Sequence, residues 1–129
     1  MKLITKDVEK RLQEYPLYSQ DGKKKDAICV VKFFMCGVNW TWYVLEADLE
    51  NQIAYGITIN PAGEGEYGYF SLAELQTVKN SWGLGVERDR GFEPTPLSDI
   101  KDSYLKMFLE GLYDDKRTDY GKENRPCMR

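Results

Sequence analysis

Three apolar, β-rich runs follow one another with only three or four residues between them, and this spacing restricts the fold strongly. The runs cover residues 27–36, 40–47 and 52–60, and residues 37–39 and 48–51 connect them. A parallel crossover needs a dozen or more residues, so neighbouring runs must pair antiparallel. The sequence therefore predicts a three-stranded antiparallel meander.

The third run alternates cleanly between large and small side chains. Isoleucines and a tyrosine occupy the odd positions from 53 to 59, while Ala54, Gly56 and Thr58 occupy the even ones. Such alternation is typical of a strand with one face on the core. Small residues on the other face would allow a helix or a ligand to approach closely. The loop that follows, residues 61–66, lacks the ending of a phosphate-binding loop.

Helical patterns lie outside the meander. Apolar residues that recur every three or four positions from Ile4 predict a helix over residues 5–14, capped by Thr5 and ended by Pro16. Ser71 and Glu74 have capping-box spacing and predict a second helix that ends at Asn80. Short strands are expected at residues 67–70 and 84–90, on either side of that helix.

The third predicted helix is the longest. Thr95 followed by Pro96 suits a helix start, and apolar residues continue at helical spacing to Leu112. We therefore predict one α+β domain over residues 1–112, with a mainly antiparallel sheet of about four to five strands and three helices. Charged residues dominate from residue 113 onward, which predicts a flexible C-terminal tail over residues 113–129.

The composition excludes several classes of function. The chain has no histidine, which removes Ser-His and Cys-His catalysis and imidazole-bound metals. Its three cysteines have no close spacing, so no metal, cofactor or catalytic residue is predicted. No apolar run is long enough to span a membrane and no signal peptide is evident, which favours a cytoplasmic location. The net charge of −3 argues against nucleic-acid binding, and the oligomeric state stays open.

The aromatic run at residues 40–46 offers two readings. Strand alternation places Trp40, Trp42 and Glu46 on one face and Tyr43 on the other. The tryptophans either fill the core or leave an aromatic platform for a protein partner. Glu46 would be buried on the tryptophan face or at its rim, where it needs a cation or backbone donors.

Arg88 is the natural partner for that carboxylate. Alternation from Val86 directs Arg88 inward and its neighbours Glu87 and Asp89 to the opposite side. A Glu46–Arg88 pair would either fasten strand ends or line a pocket. Two carboxylates among Glu46, Glu87 and Asp89 could also hold a divalent cation, although no spacing motif supports this. The candidate binding residues are Trp40, Trp42, Tyr43, Glu46, Glu87, Arg88 and Asp89.

Several stretches together resemble a known family. They include Trp40-Thr41-Trp42-Tyr43 with Glu46, Gly68-Tyr69-Phe70-Ser71-Leu72-Ala73-Glu74-Leu75, Gly83-Leu84 and Glu87-Arg88-Asp89. Over roughly residues 1–100 the chain resembles the bacterial family called domain of unknown function 2958. The resemblance implies a small intracellular protein of plasmids, phages or integrative elements, encoded near anti-restriction or transfer genes. It supplies no activity and no catalytic residue.

Two hypotheses of function follow. The first is a non-enzymatic protein-binding module of a mobile genetic element, acting on a host or element-encoded protein, for example in anti-defence. The second is a small-ligand or nucleotide-handling protein, in which Glu46, Arg88 and nearby carboxylates line a pocket. The missing histidine and the aromatic strand favour binding over catalysis.

Overall fold

The computed structural model describes residues 2–114. Within that range the chain forms three α-helices and seven strands, joined by turns and short 3₁₀ segments, and a π-helical turn over Glu110–Asp114 follows the last helix. In chain order they are α1 (Lys6–Gln13), β1 (Ile28–Cys29), β2 (Val31–Met35), β3 (Trp40–Asp48), β4 (Ile53–Ile59), β5 (Gly65–Ser71), α2 (Leu72–Leu75), β6 (Val86–Arg88), β7 (Thr95–Pro96) and α3 (Ser103–Leu109).

The main sheet has five strands in the order β5-β4-β3-β2-β6, and every neighbouring pair is antiparallel. Strands β1 and β7 form a separate two-stranded ribbon. The predicted meander is β2-β3-β4, with β3 in the middle of the sheet. The prediction of a single α+β domain with three helices and a mainly antiparallel sheet is confirmed.

Each side of the sheet has its own apolar core. On the first face, Phe33 of β2 and Trp42 of β3 lie opposite each other, and they pack with α1 and α2 through Val8, Leu12 and Leu72. On the second face, Tyr43 and Ile57 are paired across β3 and β4, and α3 covers them with Leu105 and Leu109. We use "first face" and "second face" in this sense below.

The predicted helix starts at Thr5 and Ser71 are confirmed. The Thr5 hydroxyl accepts a hydrogen bond from the Val8 amide at 3.3 Å, and the Ser71 hydroxyl accepts one from the Glu74 amide at 3.1 Å. Such caps satisfy amides that have no partner inside the helix. Both are local signals, which is why the sequence was sufficient to find them.

Helix α2 is shorter than predicted, because it ends at Leu75 rather than near Asn80. Thr77 and Val78 follow, and β-branched residues are poor helix formers. The Thr77 hydroxyl donates to the Glu74 carbonyl at 2.9 Å, which supports a turn here. The Asn80 side chain then organises a loop by accepting from the amides of Trp82 and Leu84.

The predicted start of the third helix at Thr95-Pro96 is wrong. These residues form β7, paired with Ile28 and Cys29 of β1. Helix α3 begins at Ser103, where the Asp102 carboxylate caps the amides of Tyr104 and Leu105. The strand that pairs with β7 lies nearly seventy residues earlier in the chain, so no local pattern could predict the pairing.

The predicted tail covers residues 113–129, of which residues 115–129 lie outside the described part of the chain. Its first two residues, Tyr113 and Asp114, contact the domain. Tyr113 is buried, and its hydroxyl lies 2.7 Å from the hydroxyl of Tyr67. Asp114 forms an ion pair with Lys25 at 2.8 Å.

Candidate functional site

The two tryptophans of β3 lie on the first face but differ in exposure. Trp42 is buried in the core, whereas Trp40 is only partly buried. Their rings stack with centroids 5.9 Å apart and planes inclined by 12°. Because Trp42 is fixed in the core, it also fixes the ring of Trp40 at the edge of that core.

A cavity of about 520 Å³ lies beside Trp40, on the part of the first face that α1 and α2 leave open. Three neighbouring strands contribute to it: the start of β3, the end of β4 and the start of β5. We call it the acidic groove, and its lining residues are Trp40, Thr58, Asn60, Glu64, Gly65, Glu66, Tyr67, Gly68 and Tyr69.

Two small residues, Thr58 and Gly68, lie on the floor of the acidic groove. Trp42 lies opposite Thr58, and Thr58 lies opposite Glu66, so these three residues cross the sheet on the first face. Gly68 is the next first-face residue of β5, and a Cβ built there would meet no atom within 4 Å. Because Thr58 and Gly68 lack bulk, the sheet surface stays concave beside the indole of Trp40.

The groove carries two carboxylates and no basic side chain among its lining residues. Glu64 and Glu66 are both exposed. The Asn60 amide donates to the Glu64 carboxylate at 3.0 Å, while its oxygen accepts from the amides of Ala62 and Glu64. Asn60 therefore holds both the hairpin loop and one of the two carboxylates in place.

Glu46 lies on the second face, away from the tryptophans. The β3–β4 register shifts between Val44 and Glu46, so that Val44 pairs with Gly56 and Glu46 with Tyr55. This is a β-bulge with Leu45 as the extra residue, and a bulge reverses the alternation of the residues beyond it. The prediction that Glu46 shares a face with Trp42 is therefore wrong.

The Glu46 side chain is fully buried and is held by backbone donors. The amides of Tyr18 and Gln20 donate to its two carboxylate oxygens, each at 2.8 Å. Gln20 is buried as well, and its side-chain amide donates to the carbonyls of Ile28 and Leu45. Of the two expected ways to satisfy the carboxylate, a cation or backbone donors, the structure thus shows the second.

Arg88 lies on the opposite face from Glu46. It pairs with Phe33, which pairs with Trp42, so its side chain belongs to the first face. Its guanidinium donates to the carbonyls of Lys2 and Leu3 at 3.0 and 3.3 Å. The register thus separates the two side chains by the sheet, and the predicted Glu46–Arg88 pair is wrong.

Tyr43 belongs to a polar cluster on the second face. Its hydroxyl donates to the Asp102 carboxylate at 2.5 Å, and the Lys32 ammonium lies 5.7 Å from the centre of its ring. Lys32 also lies 3.8 Å from the Asp89 carboxylate. Burial, followed by the hydrogen bond and the charge of Asp102, raises the pKa of Tyr43. The phenol is therefore held protonated, as a hydrogen-bond donor.

Glu87 and Asp89 do not meet Glu46. Glu87 lies opposite Phe34, and Phe34 lies opposite Thr41, five positions before Glu46 on β3. At about 3.3 Å per residue that separation is roughly 16 Å. No group of three potential metal ligands occurs in the described part of the chain. The structure therefore separates Glu46 from the other carboxylates of the divalent-cation hypothesis.

Sequence reasoning missed most of the acidic groove, including Thr58, Asn60, Glu64, Glu66 and Gly68. It treated residues 61–66 as a loop, although β5 already begins at Gly65. The alternation of Glu66 and Gly68 with Tyr67 and Tyr69 was the available signal, since it places a carboxylate and a glycine together on the face opposite the tyrosines. Lys32 and Asp102 were missed because their contacts are long-range.

The fold and the groove define a small α+β protein with a two-sided core and one open, acidic, aromatic-edged surface on its sheet. The chain belongs to the family described as proteins of unknown function, DUF2958, whose model matches residues 3–105. No curated protein and no solved structure matches the chain. Within residues 2–114, no helix has the length and apolar character that crossing a membrane requires.

Proposed function

We propose that this chain is a non-enzymatic protein-binding module, an accessory protein of a mobile genetic element that acts on a host or element-encoded protein. In this proposal the acidic groove receives a segment of the partner. The observation that carries the proposal is the partly exposed indole of Trp40 beside a concave surface of about 520 Å³. Aromatic residues at the edge of a pocket are frequent anchors of protein interfaces.

The buried polar groups of the sheet favour binding over catalysis. Both oxygens of Glu46 accept from backbone amides, and the Tyr43 hydroxyl is committed to Asp102. Both residues lie on the second face, whereas the groove lies on the first. The groups best placed for acid–base chemistry therefore hold the fold together and do not reach the groove.

A small-ligand role is the second candidate from the sequence, and it loses its main support. Its pocket required Glu46 and Arg88 on one side of the sheet, and the register places them on opposite sides. The cavity volume would suit a small molecule. A thermal-shift screen of nucleotides and divalent ions tests this role directly, because a ligand at 100 times its Kd raises stability by about 2.7 kcal/mol.

The proposal is tested by affinity capture from a bacterial lysate with the full-length protein, followed by reconstitution with the purified partner. Trp40→Ala removes the anchor of the groove. The matched control is Trp82→Ala, since Trp82 is 74% exposed and is not among the groove residues. We expect Trp40→Ala to weaken the reconstituted complex by about 30-fold, the effect of an interface hot spot of about 2 kcal/mol.

Trp82→Ala should leave that affinity unchanged. Both variants are first compared with the wild type by circular dichroism and thermal unfolding, so that a folding defect is not mistaken for lost binding. If the partner binds Trp40→Ala as tightly as the wild type, the groove is not the binding site. If only Trp82→Ala loses binding, the interface lies at the loop after α2.

A further inference from the structure

We infer that the acidic groove selects an extended, basic segment of the partner and takes one of its arginine or lysine side chains against Trp40. This inference rests on the proposed function and names the chemistry of the partner. The two walls of the groove carry the argument, because one is aromatic and the other is acidic.

The acidic wall favours a cationic occupant. Glu64 and Glu66 bring two negative charges to the groove, and its lining includes no lysine or arginine to offset them. A neutral or acidic occupant would add desolvation or repulsion to those charges, whereas a cationic one gains charge-assisted hydrogen bonds. The carboxylates alone would not define a site, but here they border a concave surface with an aromatic side.

The aromatic wall requires an apolar stem on the same side chain. Trp40 stacks on the buried Trp42, so its indole is held in place at the edge of the groove. Lysine and arginine combine an aliphatic stem, which can lie on the indole, with a cationic end that can reach Glu64 or Glu66. Arginine should bind more tightly, because its planar guanidinium both stacks on aromatic rings and pairs with carboxylates through two hydrogen bonds.

The groove is also organised before binding. The Asn60 side chain fixes Glu64 and the loop around Ala62 through three hydrogen bonds. A carboxylate that is already in position loses less conformational freedom when the cation arrives. The cavity is larger than one side chain requires, which leaves room for the backbone on either side of the arginine.

The test uses short peptides and nuclear magnetic resonance of the full-length, isotope-labelled protein. A capped glycine peptide that carries arginine is compared with the same peptide carrying lysine, glutamate or citrulline, the neutral analogue of arginine. The signals followed are the indole N–H of Trp40 and the backbone amide of Gly68. We expect the arginine peptide to shift both signals in a saturable manner, the lysine peptide to do so more weakly, and the glutamate and citrulline peptides to leave both unchanged.

Charge-matched variants separate a built site from general attraction. The double variant Glu64→Gln, Glu66→Gln should raise the Kd of the arginine peptide about tenfold or more. Glu50→Gln with Glu93→Gln makes the same change in net charge at two exposed positions outside the groove, and should leave the Kd within about twofold. Raising salt from about 50 mM to about 500 mM should weaken the wild-type complex.

Three results would overturn the inference: no shift with any peptide, equal binding of the citrulline peptide, or an equal loss of affinity in the two double variants. Failure here is distinguishable from failure of the proposed function. A captured partner that depends on Trp40 but binds the Glu64→Gln, Glu66→Gln protein normally would leave the groove as a docking site and remove only its preference for a cation.

Discussion

The two ends of β3 differ in burial and in the role that we assign to them. At its start, Trp40 is partly exposed beside an open groove, and at its end Glu46 is fully buried beneath the loop that contains Tyr18 and Gln20. A tryptophan is usually assigned to the core and a glutamate to the surface or to a functional site. In this strand Glu46 is more deeply buried than Trp40, so residue type alone is a poor guide to which end binds a partner.

The β-bulge between the two ends explains the difference. It places Glu46 on the second face, where the Gln20 segment can reach it, and leaves the tryptophans on the first. Gly56 lies opposite Val44 at the bulge, and a Cβ built on Gly56 would overlap the carbonyl oxygen of Tyr43. Only glycine fits there, so the residue that looked like space for a ligand instead admits the neighbouring strand.

We call the buried end of β3 around Glu46 the sealed end. Substitutions there should lower the free energy of unfolding more than substitutions at the groove, and Glu46→Ala should have the largest effect. It leaves the buried amide of Gln20 and that of Tyr18 without their acceptor. Because hydrogen bonds to charged groups are each worth about 1.5–3 kcal/mol, we expect the free energy of unfolding to fall by roughly 4 kcal/mol. Urea unfolding followed by tryptophan fluorescence measures it.

Glu46→Gln refines that result. Its carboxamide keeps one acceptor but turns an N–H₂ group toward the second amide, so we expect a loss of roughly 2 kcal/mol. Glu50→Ala, an exposed glutamate in the turn just after β3, serves as the control and should change stability by less than about 0.5 kcal/mol. An effect of Glu46→Ala no larger than that of Glu50→Ala would contradict the structural role.

Gly56→Ala tests the bulge itself. Its Cβ would collide with the backbone at Tyr43, which cannot move aside as a flexible side chain would. We expect a loss of roughly 3 kcal/mol in the free energy of unfolding, at the upper end of overpacking effects. Hydrogen exchange should also show faster opening of the Gln20 amide, because the displaced bulge carries Glu46 with it. Unchanged exchange there would mean that the bulge and Glu46 are independent.

Tyr43→Phe removes the hydrogen bond to Asp102 in the sealed second face. Asp102 keeps its bonds to the amides of Tyr104 and Leu105, so we expect a loss of only about 1.5 kcal/mol at neutral pH. Because the pKa of Tyr43 is raised in the folded protein, the unfolded chain loses this proton first, from about pH 10 upward. Above that pH, the free energy of unfolding of the wild type should fall by about 1.4 kcal/mol per pH unit relative to that of the variant.

The two stability curves should therefore converge near pH 11. Urea unfolding of both proteins between neutral pH and about pH 11 measures the convergence. Tyr104→Phe is the control, since Tyr104 is largely exposed. A constant difference at all pH values would show that Tyr43 ionises equally in both states.

The sequence predicted the parts of the fold that local patterns encode. The meander followed from its short connections, and the starts of α1 and α2 followed from Thr5 and Ser71. What it missed depends on contacts between distant residues. The pairing of β7 with β1 replaced the expected start of a helix at Thr95, and one extra residue at Leu45 reversed the face of Glu46. The bulge at Leu45 also explains why the predicted Glu46–Arg88 pair is wrong, because that prediction assumed unbroken alternation along β3.

The sharpest test of the comparison between sealed and open regions uses Gly68, which lies directly opposite Gly56 across β4 and β5. A Cβ at Gly68 meets nothing within 4 Å, whereas one at Gly56 meets the backbone. Gly68→Val also replaces a glycine inside a strand by a residue with high β-propensity, so stability should stay the same or rise by up to about 1 kcal/mol. The branched side chain would meanwhile stand in the acidic groove.

Gly68→Val should therefore separate folding from binding. We expect it to lower the affinity for the arginine peptide and for the captured partner while the urea midpoint is kept or raised. Gly68→Ala adds less bulk, so its affinity should lie between that of Gly68→Val and that of the wild type. If Gly68→Val is stable and still binds both, the occupant does not use the floor of the groove, and the docking surface must be sought nearer Glu64. In that case substitutions at Gly56 and Gly68 would differ in their effects on stability, but Gly68 would have no role in binding. The contrast between a buried bulge and an open binding groove would then no longer hold.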